Sequence, residues 1–344
     1  MKVLENQDLT DKRAETVMPR EEKETFMQAL YWNGARLQVR KTYPTPLAQE
    51  RMALVRVRCA GVCSTDLQIL KGYMGFRGVP GHEFVGEVSE GPGDLVGQRV
   101  VGEINYACGE CETCRRGLGR HCPTRSVMGI LNADGCFADY LAVPVANLHR
   151  VPDSISDEAA VFSEPLAAAF EILEQVHIPP SAEVVVFGDG KLGLLCAQVL
   201  HAANARVTVV GKHAEHLAIV RKLGIVTVML TDWRANQADI VVEATGSTAG
   251  LSLAMASVRP RGVLVLKSTV AQEHSVSLAP LVINEVTVIG SRCGRFAPAL
   301  QALARATIAV TPLIHKVFPL AEGAVALRHA SRRGVLKILI QPDR

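Results

Sequence analysis

Glu183-Val184-Val185-Val186-Phe187-Gly188-Asp189-Gly190-Lys191-Leu192-Gly193-Leu194 is the stretch of this chain that decides its fold. An apolar run of strand character passes directly into G-x-G-x-x-G, and helical spacing follows over Leu192–Ala203. The glycine pattern alone is a weak signal, but between a strand and a helix it acquires a physical meaning. Gly188 permits a tight turn, Gly190 lets the backbone approach a pyrophosphate, and Gly193 allows the helix to pack closely on the strand. The helix start, with Lys191 and Leu192 in its first turn, offers free N–H groups and a positive dipole end to a phosphate.

Further apolar strand candidates follow at Arg206–Val210, Asp239–Glu243, Gly262–Leu266 and Thr287–Ile289, with helical candidates between most of them, among them His213–Leu223. Continuous apolar strands alternating with helices predict a parallel sheet covered on both faces, an α/β doubly wound unit. Glu158–Val176, rich in Ala and Leu, predicts a helix ahead of it. From Met27 to about residue 150 the chain instead shows short β-like runs, such as Leu54–Arg58, broken by Gly and Pro. That half reads as mostly β. The tail after residue 295, with a helical Ala297–Ala309, is expected to return to it. Residues 1–25 are dense in charge and poor in large apolar side chains, so a flexible N-terminal extension is expected there.

The second strand of the doubly wound unit ends Val209-Val210-Gly211-Lys212-His213. An acid that would hydrogen-bond the ribose 2′-hydroxyl of NAD is missing from this end. A carboxylate would repel a 2′-phosphate, and Lys212 would attract one. NADP is therefore the favoured cofactor on sequence, with NAD possible.

Nine cysteines occur, and four of them form Cys108-x2-Cys111-x2-Cys114-x7-Cys122. Four soft ligands within one glycine-bearing loop match a closed, structural zinc site better than disulfides or an iron–sulfur cluster. Arg115, Arg116 and Arg120 read as a solvated face that balances the thiolate charge. A second constellation is Cys63-Ser64-Thr65-Asp66 with Gly81-His82-Glu83. Cys63 and His82 supply a thiolate and an imidazole for a catalytic zinc with an open position, and Glu83 or Glu164 supplies a carboxylate. Asp66 is placed to accept a hydrogen bond from the other ring nitrogen of His82.

The 344 residues exceed one comfortable core, which suggests two domains. A formal charge of +3 and the absence of a long basic run speak against nucleic acid. No apolar run reaches the roughly 18 residues of a membrane span, and the start has no signal-peptide pattern. The expected location is the cytoplasm.

Together Cys63-x-Thr65-Asp66, Gly81-His82-Glu83, the four-cysteine lobe, Glu164-Pro165-Leu166 and the turn at 188–193 resemble the zinc-dependent medium-chain dehydrogenase/reductases in order and spacing. The resemblance implies a GroES-like catalytic domain at 26–165 and 295–344, interrupted by a Rossmann domain at 166–294, in a homodimer or homotetramer. It implies two zinc ions per chain. Glu164-Pro165 resembles the polyol, glucose and threonine dehydrogenase branches, in which Glu83 or Glu164 is the carboxylate ligand. Gln68 replaces the distal histidine of the liver-type proton relay. By the same resemblance Arg292 reaches cofactor or substrate, and Thr245 and Ser268 line the nicotinamide pocket. The expected reaction is hydride transfer between a small alcohol and the nicotinamide, with Thr65 receiving the proton and Ser64 beside it. The alternative is a catalytically idle zinc- and nucleotide-binding protein, a redox sensor or interaction partner. A complete Cys63, His82 and Glu set with Thr65 speaks against it.

Overall fold

Phe187, the last residue of its strand, delivers the glycine turn to the carboxyl edge of a six-stranded parallel sheet. The computed structural model describes residues 25–235, 237–269 and 275–343. Most of the expected N-terminal extension, residues 1–25, lies outside them. In the parallel sheet the spatial order is Val226–Met229, Arg206–Gly211, Glu183–Phe187, Ala238–Glu243, Val258–Leu266, Thr287–Gly290. This is the doubly wound order in which the chain reverses direction beside its first strand. Val186 pairs with Val209 on one side and with Val242 on the other. The central strands are buried on both faces, which accounts for their near-continuous Val and Ile. Val226–Met229, half-exposed at the sheet edge, is a further strand beyond the expected ones, although it lies in the apolar run 225–230.

A seven-stranded sheet contains Met52–Gly61, Glu83–Glu90, Arg99–Gly102, Tyr140–Pro144 and Leu148–Arg150. It is completed by Ile314–Pro319 and Lys337–Gln341 from the other end of the chain. Leu339 pairs with Gly61, so the last strand lies against one from the first fifth of the sequence. Phe137, Leu30, Ile69 and Met128 are fully buried in and around this sheet.

The predicted helix Glu158–Val176 is two helices, Asp157–Ala160 and Ser163–Gln175. Pro165 explains the break. Without an N–H it fits only in the first turn of a helix, so a new helix starts just before it and carries Glu164 in that turn. Helix Ser163–Gln175 lies between the two sheets. Its Leu166, Ala169 and Ile172 share one buried cluster with Cys59 and Val85 of the antiparallel sheet and Val184 and Val186 of the parallel one. The predicted Ala297–Ala309 helix runs over Phe296–Ala304 and stops before Ala306, whose φ of 51° leaves the helical region. Among the described residues no helix is long and apolar enough to cross a membrane.

Phe137 is 0% exposed. Phe137→Ala is expected to lower the unfolding free energy by about 3–5 kcal/mol, the usual cost of emptying a buried aromatic site. The shift in urea midpoint at unchanged slope measures it.

Candidate active site and metal centres

The carboxyl edge of the parallel sheet faces the antiparallel sheet across a cavity of about 1120 Å³, large enough for a dinucleotide and a small substrate. Gly188, with φ at 117°, makes a turn that side chains rarely permit. A Cβ at Gly193 would collide with the carbonyl oxygen of Gly188, whereas a Cβ at Gly190 would meet only open space. The helix starts at Lys191 with Gly190 as its cap, and Lys191 and Leu192 both line the cavity. Across the crevice Thr245 donates its N–H and its hydroxyl to Glu243 Oε1, at 2.7 and 2.6 Å. Gly246 N–H donates to Ser268 Oγ at 2.8 Å. Thr245 and Ser268 are thereby fixed on the cavity wall.

Cys63 caps the short helix Ser64–Ile69 and donates its N–H to Asp66 Oδ2 at 2.8 Å. Asp66 Oδ1 stands 3.2 Å from Nδ1 of His82, and neither atom has another partner. With Nδ1 occupied by the carboxylate, Nε2 is the free donor of the ring. Burial opposes charge on His82, but Asp66 and Cys63 outweigh it and hold its pKa well above the ordinary value. Such a field suits a pocket that takes a cation. Donor atoms of Cys63, His82 and Glu83 all lie within 4.8 Å of one another. Thiolate, imidazole and carboxylate are the donor types of a catalytic zinc site. The Thr65 hydroxyl lies 3.7 Å from Cys63 Sγ, and Ser64, Thr65 and Gln68 line the same cavity.

Glu83 has a second commitment that sequence did not show. Its Oε2 accepts from Lys337 Nζ, and the two side chains are 1% and 0% exposed. The only signal was a single lysine inside the apolar run Val335-Leu336-Lys337-Ile338-Leu339-Ile340. Glu164 lines the cavity outside the compact trio, and no donor among the described residues holds it. Burial, aided by the charge of Glu83 and opposed by His82, pushes its carboxyl up to about 7.

In the cysteine lobe the sulfurs of Cys111 and Cys114 are 3.5 Å apart, and those of Cys122 and Cys108 3.6 Å. Cys108 to Cys114 and Cys111 to Cys122 are each 3.9 Å. A tetrahedron with metal–sulfur bonds of 2.3 Å has edges of about 3.8 Å, so the cage fits zinc, and all these separations exceed a disulfide bond. N–H groups of Glu110 and Cys111 pull the Cys108 thiol below its ordinary pKa, and the Thr124 hydroxyl does the same for Cys122.

Arg292 lines the cavity, and its guanidinium donates to the Arg120 carbonyl at 2.9 Å and so pins the cysteine lobe. Arg120 is not simply part of a solvated face. It pairs with Glu171 at 2.9 Å and donates to the carbonyl of Cys293. The second strand ends at Gly211 without an acid of its own, but a carboxylate from elsewhere stands beside it. Asp189 of the glycine turn accepts there from the N–H groups of Lys212 and His213, at 2.7 and 2.6 Å.

Comparison with known proteins agrees with this geometry. Residues 49–153 match the family described as alcohol dehydrogenase GroES-like domain, and residues 192–307 match zinc-binding dehydrogenase. D-altritol 5-dehydrogenase of Agrobacterium fabrum is 32% identical over 257 residues, 70% of this chain and 76% of that enzyme. D-arabitol-phosphate dehydrogenase of Enterococcus avium is 29% identical over 324 residues, 87% and 92% of the two chains. The alcohol dehydrogenase TADH from Thermus sp. ATN1 superposes with a TM-score of 0.84 at 28% identity, covering 92% of this chain and all of that one.

Removing one member of a buried ion pair strands the other charge. Lys337→Met is expected to cost about 3–5 kcal/mol of stability, and adding Glu83→Gln should recover most of it. Urea midpoints of the two single variants and the double variant decide the coupling.

Proposed function

From its membership of the zinc-dependent medium-chain dehydrogenases, which makes the chain an NAD(P)-dependent alcohol dehydrogenase, we propose an enzyme that oxidises a polyol, sugar alcohol or other secondary alcohol with two zinc ions per chain. The observation that carries this reading is that the Cys63–His82 donor pair and the Gly188–Gly193 turn open on one cavity. The polyol class rests on Glu164-Pro165 and on the names of the relatives, D-altritol and D-arabitol phosphate among them. Residues 26–165 with 295–344 form the catalytic unit in this reading, and 166–294 the nucleotide-binding one. A closed homodimer or homotetramer goes with it.

Cys63, His82 and Glu164 hold the catalytic zinc. Glu164 is preferred to Glu83 as the carboxylate, because Oε2 of Glu83 is already engaged by an ammonium whereas Glu164 has no hydrogen-bond donor among the described residues. Asp66 keeps His82 oriented, and Lys337 pairs with Glu83 behind the site. When bound, the zinc supplies Lewis-acid polarisation of the alcohol oxygen. Thr65 Oγ1, beside Cys63, takes up the alcohol proton, a positioned step worth about 10²–10⁴ in rate. Gln68 cannot titrate, so the proton leaves Thr65 through the open cavity. The glycine turn and the helix start at Lys191 hold the pyrophosphate, and Leu192, Thr245 and Ser268 border the nicotinamide. A bound nicotinamide would supply the hydride acceptor, and the residues of the glycine turn, Thr245 and Ser268 would hold it against the carbinol carbon. The four cysteines hold the second zinc and fix the lobe that Arg120 and Arg292 dock on the cavity wall.

The test combines metal analysis with turnover. The purified protein should contain about two zinc ions per chain, and Cys63→Ser about one, with turnover of polyols reduced by a factor on the order of 10² or more and the circular dichroism spectrum kept. Cys122→Ser should lose the other zinc and lower the melting temperature. Near-normal turnover in Cys63→Ser would defeat the assignment.

A further inference from the structure

Gly211 and Asp189 behave as one swapped position. A Cβ built at Gly211 would lie 2.5 Å from the Asp189 Cβ and 2.6 Å from its Oδ2. Any side chain at the end of the second strand is therefore excluded by a carboxylate that arrives from the glycine turn instead. Asp189 is only 7% exposed. Its Oδ2 accepts from Lys212 N at 2.7 Å, from His213 N at 2.6 Å and lies 3.1 Å from His213 Nδ1. Its Oδ1 has no donor among the described residues, and the residue lines the cavity.

The cluster of Asp189, His213 and His216 is compact enough to suggest a metal, but His216 is already spent. Its ring nitrogens lie 3.0 Å from the carbonyl oxygen of Asp189 and 3.1 Å from that of Gly334. What remains is a fixed carboxylate at the place where a dinucleotide presents its adenosine ribose.

Resting on the reading that this crevice binds a nicotinamide dinucleotide, we infer that Asp189 supplies the ribose-recognising acid that the strand lacks, and that it selects NAD over NADP. Its Oδ1 accepts from the ribose 2′-hydroxyl. A 2′-phosphate would meet the same carboxylate in a poorly solvated place. It would also find the N–H groups of Lys212 and His213, the natural anion donors of this loop, already taken. Lys212 and Arg333 border the cavity and attract phosphate, but both side chains are exposed, so water and salt weaken that pull. His213 turns its Nδ1 to Asp189, and its buried Nε2 has no partner among the described residues.

The experiment is a fluorescence titration of the zinc-loaded protein with NADH and with NADPH, giving two dissociation constants without turnover. The wild type is expected to bind NADH at least about tenfold more tightly. Asp189→Asn keeps the shape and removes the charge, and should shift the ratio of the two constants at least about tenfold towards NADPH. The exchange Asp189→Gly with Gly211→Asp moves the acid onto the strand and should restore the preference for NADH. It serves as the second variant if Asp189→Asn does not fold. A wild type that prefers NADPH, or a ratio unchanged in Asp189→Asn, overturns the assignment of Asp189 while leaving the dehydrogenase reading in place. Binding of neither cofactor to the wild type overturns both.

Discussion

Glu83 and Lys337 meet where water does not reach, and much of the molecule is arranged around that pair. Glu83 begins a strand next to His82, a ligand in the proposed metal site, and Lys337 begins the strand Lys337–Gln341. Neither charge is tolerable there alone, because burying an unpaired ion costs several kcal/mol. The strand Lys337–Gln341 must therefore lie beside Met52–Gly61, and the loop that carries His82 is held against both. Electrostatics, rather than apolar burial, decides which end of the C-terminal strand faces the zinc donors.

The same logic repeats outward from the cavity. Lys267, a second buried ammonium, donates to the carbonyls of Ala168 and Arg292 at 2.7 and 3.1 Å and to Ser291 Oγ at 3.1 Å. It ties the parallel sheet to the helix that carries Glu164. Arg120 ties the cysteine lobe to that helix through Glu171, and Arg292 ties the lobe to the loop after the last parallel strand. Each cation binds two elements distant in sequence, and each is satisfied by a carbonyl or carboxylate on the far side. The cavity is thus walled by groups whose charges are already spent, apart from those aimed into it.

Local patterns made the parallel unit legible. The run Glu183–Phe187 with Gly188, Gly190 and Gly193 needs only its own neighbours to specify a strand, a turn and a helix. Cys108 to Cys122 are likewise close enough in sequence that one loop can gather them, and Cys63, Asp66 and His82 carry their relation in a short span. What stayed hidden depends on distant partners. The partner of Lys337 is 254 residues away. The bond from Arg292 to the carbonyl of Arg120 likewise cannot be seen from sequence. Nothing local tells that the side chain of Asp189 fills the space next to Gly211. The break before Pro165 was available in principle, as proline seldom sits inside a helix.

Pairing of Leu339 with Gly61 has a consequence for the order in which the molecule can be made. The strands of the parallel sheet lie in one unbroken stretch from Glu183 to Gly290, so that sheet can close while the chain is still emerging from the ribosome. The antiparallel sheet cannot. Its early strands must wait, with an edge exposed and Glu83 without its partner, until Lys337–Gln341 has been made. Contacts of such long sequence separation form late and slowly. The interval between synthesis of Glu83 and arrival of Lys337 is the period in which this chain is most exposed to misassembly.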